Sequence, residues 1–72
     1  MVSVIINFAD SMTRAGVEQL YESSRFAGDP TLLFEEINPK EWKVTLHPRH
    51  TARIQPDEFK RFLRLRLHCT AM

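Results

Sequence analysis

One cysteine, two glycines and four prolines are spread over 72 residues. A lone cysteine excludes an internal disulfide, so the fold stands on packing, alone or shared with a second chain. With only Gly16 and Gly28 to draw on, the chain has no glycine-rich loop to cradle a phosphate. No apolar run approaches the roughly 18 residues of a membrane span, and the N-terminus lacks the basic start and small-residue cleavage site of a secretory signal. The expectation is a cytoplasmic protein with no membrane partner. Internal repeats, low-complexity tracts and linkers are also missing.

The length excludes a second domain, since a typical domain takes roughly 100–150 residues. Residues 1–72 therefore read as a single small domain with few side chains to spare for a large buried cleft. A hydrophobic content of 43% separates the chain from disordered tails.

The net charge of +1 hides a strong asymmetry. Residues 1–36 carry two arginines against six carboxylates, or −4; residues 37–72 carry eight Lys/Arg against three carboxylates, or +5. His47, His50 and His68 all fall in the basic half. Such a pattern suits an acidic partner, a nucleic acid or a second copy docked head to tail. It equally suits two halves that neutralise each other across the folded domain.

Val2, Val4, Ile6 and Phe8 alternate with Ser3, Ile5 and Asn7, the period of a strand with one buried face. Asp10 or Ser11 then caps a helix running to about Phe26, with Val17, Leu20, Tyr21 and Ser24 as its inward stripe. Gly28 and Pro30 close it. Thr31 to Ile37 reads as a strand, with a short helix opened by Asp29 as cap and Pro30 in its first turn as the alternative. Asn38-Pro39-Lys40-Glu41 reads as a turn, and Trp42, Val44 and Leu46 mark a second strand completing a hairpin. Pro56 suits the first position of a last helix, with Asp57 and Glu58 complementing its dipole, Ile54 stapling onto Phe59, and Glu58 reaching back to the Gln55 N–H. Beyond Phe59 two periods compete. Phe59, Phe62, Leu63 and Leu67 fit a helical stripe, whereas Leu63, Leu65, Leu67 and Cys69 alternate with Arg64, Arg66 and His68 as a strand does. With no turn residue between Phe59 and Cys69, a continuous helix is favoured, its Arg66 extending a charged tip out of the contact.

The expected fold is an α+β two-layer β-α-β-β-α domain. If residues 63–69 form a strand, the order becomes a ferredoxin-like β-α-β-β-α-β.

Lys60, Arg61, Arg64 and His68 share one side of the last helix, opposite its apolar face, and Arg49 and Arg53 precede it. This stripe can follow phosphates or grip acidic side chains. No aromatic interleaves with it, so base stacking is not supported. His47-Pro48-Arg49-His50 places two imidazoles beside arginines, a set able in principle to cleave RNA by acid and base catalysis. His47, His50, His68 and Cys69 match no closed zinc site, having one sulfur and no CxxC pair. No metal or cofactor is expected. Phe26, Leu33 and Leu65 fit no inward stripe and point to a covered interface, a homodimer or a complex subunit. The functional expectation is a non-catalytic binding module, an accessory or inhibitor protein. It would occupy a macromolecular partner, protein rather than nucleic acid, through Arg49, Arg53, Lys60, Arg61, Arg64 and His68. The alternative is a small RNA- or DNA-binding protein, with His47 and His50 as nuclease residues.

Overall fold

A computed structural model describes residues 2–25 and 28–71. Along the chain run β1 (Ser3–Asn7), α1 (Arg14–Ser24), β2 (Leu32–Asn38), β3 (Glu41–Leu46), the single-turn α2 (Pro48–Thr51), α3 (Pro56–Leu67) and β4 (Thr70–Ala71). The strands form one sheet in the order β2-β3-β1-β4, with every neighbouring pair antiparallel. This is a small α+β domain.

Period-two alternation puts Val4, Ile6 and Phe8 on the same buried side as Leu32, Trp42, Val44 and Leu46. Val17 and Tyr21 from α1 and Phe59, Leu63 and Leu67 from α3 close over them in one core. The core therefore fills the space between one sheet face and two helices, while Ser3, Ile5, Lys43 and Thr45 alternate onto the opposite face.

The element order departs from the expected β-α-β-β-α by gaining α2 and β4. The strand over 63–69 is not formed, because the helical period wins. Phe59, Leu63 and Leu67 recur every four residues with no exposed surface, while Leu65, which a strand would bury beside them, is 70% exposed. The reversal that lacked a turn residue is made by His68, which adopts the left-handed conformation (φ 50°, ψ 46°) and lets Ala71 pair with Ile6.

Two helix boundaries also move. α1 begins at Arg14, capped by Thr13, whose hydroxyl accepts the Gly16 N–H at 3.0 Å. Asp10 and Ser11 are not used as caps because the chain around them is tied to the hairpin turn: Phe8 N–H donates to the Lys40 carbonyl at 2.8 Å and Met12 N–H to that of Pro39 at 2.7 Å. At its other end α1 stops at Ser24; Phe26, the expected last residue, lies outside the described residues. Gly28, with φ 93°, belongs to the following turn rather than to the helix cap. α3 starts as expected with Pro56 in its first turn followed by Asp57 and Glu58, and Ile54 packs against the core. The Phe59 N–H bonds to the Gln55 carbonyl at 2.9 Å, whereas the reach of Glu58 back to Gln55 is not made.

Candidate interaction surface

At α2, His47 ends the β3 alternation and Pro48 takes the first helical position, where its missing N–H costs nothing. The His47 Nδ1 accepts the Arg49 N–H at 3.3 Å, and the His47 N–H is anchored on the Thr31 carbonyl at 3.0 Å. The Arg49 side chain spans the cluster, donating from Nη2 to the Thr31 hydroxyl at 3.4 Å and from Nε to the His50 Nε2 at 3.2 Å. The two imidazole rings stand 6.4 Å apart, edge to face. Arg53 follows, exposed, its N–H on the His50 carbonyl at 3.0 Å. Partial loss of hydration, then the charges of Arg49, His47 and Arg53, lowers the His50 pKa from its ordinary value.

On α3 the predicted stripe divides. Arg61 is exposed and Lys60 half-buried. Arg64 is exposed but employed, its Nη2 donating to the Ala71 carbonyl at 3.1 Å and so holding β4. His68 is exposed at the chain reversal, at the helix end rather than within it. Arg66 does not extend to solvent as expected. It donates from Nη1 to the Ser24 carbonyl at 2.8 Å, pairs with Asp29 at 3.5 Å and lies 5.4 Å from the Phe62 ring centre.

The ion pairs fall mostly within the acidic half. Arg14 and Arg25 pair with Glu18 and Glu22, all within the acidic half. Among the described residues, Arg66 reaches across, to Asp29. Among the described residues, Lys40, Lys43, Arg49, Arg53, Lys60, Arg61 and Arg64 have no carboxylate within ion-pair distance. Across the β2–β3 pairing Glu35 of the acidic half also faces Lys43 of the basic half, beyond ion-pair distance.

The histidines that sequence spacing left unrelated are thus brought together; the groove between α1 and β2, which Thr31 lines, and that beside β1 and β4 include neither His47 nor His50. His68 and Cys69 are held at the far end of α3, about 18 Å along a twelve-residue helix. Cys69 is half-buried, its Sγ 3.7 Å from the Leu63 carbonyl, and burial pushes its thiol up to about 11. Leu33 and Leu65 are exposed as expected, and so is Ile37. Thr31 escaped the sequence reading because its place beside Arg49 depends on the register of β2 on β3. No helix among the described residues is long and apolar enough to cross a membrane. No family model, curated protein or solved structure matches the chain.

Proposed function

We propose that the domain is a non-catalytic binding module that holds an acidic macromolecular surface through its basic C-terminal half. One observation carries this reading: among the described residues the cations from Lys40 to Arg64 have no carboxylate within ion-pair distance, whereas the arginines of the N-terminal half do. Unscreened like charges repel and raise the local potential, which an incoming anionic surface relieves. Arg49, Arg53, Lys60 and Arg61 are the contacts, with Arg64 and His68 contributing only what their structural duties leave free. The cellular setting is cytoplasmic.

Reversing Arg53 and Arg61 to Glu tests it. Both are exposed and neither side chain bonds within the domain, so folding is retained. Binding to polyglutamate or to a thymidine octamer is expected to fall at least tenfold in the double variant, and wild-type binding to weaken between 50 and 200 mM salt. Unchanged binding of both polyanions by the variant removes the proposal.

A second reading, nucleic-acid binding with nuclease activity, is favoured by the approach of His47 to His50. Cleavage of RNA between pH 5 and 8, abolished by His47→Ala or His50→Ala, is its requirement.

The open edge of β2 and the exposed Leu33 and Ile37 support a homodimer as the assembled form. Light scattering showing a monomer at micromolar concentration removes that part alone.

A further inference from the structure

The cluster at α2 gathers a guanidinium, two imidazoles and two hydroxyls around Arg49. Thr31, His47, Arg49 and His50 converge from β3, α2 and the segment before β2, and Arg53 and Thr51 flank them. Protein interfaces are centred on apolar side chains and on Tyr, Trp and Phe, and none of these stands among the cluster residues. Phosphate contacts ask only for guanidinium, imidazole, hydroxyl and backbone donors. The two imidazole rings meet edge to face and are engaged with Arg49, so the contact is to the backbone of a strand and carries no sequence preference.

The hydrogen bonds also set the part that each imidazole plays beside Arg49. Arg49 Nε points at His50 Nε2, and Arg49 N–H at His47 Nδ1, contacts in which each of these ring nitrogens is the acceptor. A cation bonded to an accepting imidazole, with no carboxylate within reach among the described residues, is a donor without an anion. An oxyanion seated beside Arg49 replaces the imidazole as its acceptor, and the freed His50 Nε2 takes a proton from water and donates to the same group. We infer that the Thr31–His47–Arg49–His50 cluster binds a phosphodiester of a nucleic-acid strand, taking up one proton at His50 as it does so.

This rests on the reading that the basic half meets an acidic partner, and adds the chemistry of the group met at α2. The charged and titratable groups acting on His50 are Arg49, His47 and Arg53, all of which resist its protonation; a bound phosphodiester opposes them. Affinity then falls as pH rises between the free and bound His50 pKa values, by up to about tenfold per pH unit, the limit for one linked proton.

A thymidine octamer is the probe, since its phosphodiesters keep their charge from pH 5 to 8. Proton NMR of the imidazole C2–H signals reads the His50 pKa with and without the octamer, and fluorescence anisotropy reads affinity against pH. The expected result is an upward His50 shift of at least half a unit on binding, and an affinity rising toward low pH. His50→Asn should flatten that pH dependence, and Arg49→Lys should weaken binding severalfold at fixed pH. Octamer binding that leaves the His50 pKa unmoved overturns the inference while the basic-half reading stands. Binding of polyglutamate but not of the octamer has the same meaning. Failure to bind either polyanion overturns both.

Discussion

The Arg66 guanidinium donates to the Ser24 carbonyl at 2.8 Å, and the Ser24 hydroxyl lies 3.2 Å from the Arg66 carbonyl in return. These contacts clasp the C-terminal end of α1 to α3. The same guanidinium pairs with Asp29, whose side chain is only 5% exposed. Removing Arg66 therefore takes a cation from an almost wholly buried carboxylate and a donor from a helix-end carbonyl. Arg66→Ala is expected to destabilise the domain by about 2–3 kcal/mol, under the full range for a buried pair because Arg66 keeps a fifth of its surface. Urea unfolding measures it. A loss under about 0.5 kcal/mol, the scale of ordinary surface substitutions, would show the clasp to be incidental.

Tyr21 sits in the core with its hydroxyl donating to the Pro30 carbonyl, which fixes the start of β2 against α1. Burial, above all, raises its pKa from the ordinary 10.0. A group with a folded pKa above its unfolded one contributes stability that is complete below the unfolded value and is lost as pH rises through the folded value. The domain should thus lose stability above about pH 10. Tyr21→Phe should lose that part of the alkaline dependence while costing about 1–2 kcal/mol at neutral pH for the unpaired carbonyl. Parallel alkaline profiles for wild type and variant, followed by thermal unfolding, would rule this out.

Arg61 and Arg64 are one helical turn apart and look alike in sequence, yet their side chains do different things. Arg61→Glu should change stability by less than about 0.5 kcal/mol, while Arg64→Glu loses the bond to the Ala71 carbonyl and should cost about 1–2 kcal/mol. Equal thermal midpoints for the two variants would return Arg64 to the solvated face.

The Cys69 thiol, held up at about 11 by burial, should be inert at physiological pH. At pH 8 only about a thousandth is thiolate, the nucleophilic form. Alkylation by iodoacetamide should be slow there and accelerate steadily toward pH 11. Labelling at pH 8 as fast as a free cysteine would mean that the segment after α3 opens readily.

The parts of the fold legible in sequence are those fixed by period and by local caps. Val4-Ile6-Phe8 and Trp42-Val44-Leu46 declare their strands, and Pro56-Asp57-Glu58 declares the start of α3. What escaped was decided by distant partners. Thr13 rather than Asp10 caps α1 because Lys40 and Pro39 hold the preceding residues in place. The α2 turn had a readable sign in Pro48 following a capping side chain, but a helix of four residues has too little periodicity to register. Of the surface, the composition of the basic half was visible. Its division into free cations and structural ones was not, since Arg64 and Arg66 find their partners through β4 and α1. The arrival of Thr31 beside Arg49 likewise needed the β2–β3 register. A non-glycine residue making the helix-to-strand reversal was the hardest feature to foresee.

That residue, His68, gives the last prediction. Left-handed backbone brings Cβ close to the following carbonyl oxygen, a cost of roughly 1–2 kcal/mol that glycine does not carry. His68→Gly removes the clash but adds freedom to the unfolded chain, so the net gain should be about 0.5–1 kcal/mol. His68→Val, β-branched and ill suited to positive φ, should lose about 1 kcal/mol or more. The order of urea midpoints should be Gly, His, Val. If histidine proves more stable than glycine, its imidazole makes an interaction beyond the turn, and its place in the contact surface gains weight. If the order holds and polyanion binding is unchanged in His68→Gly, the residue serves only to turn the chain from α3 into β4.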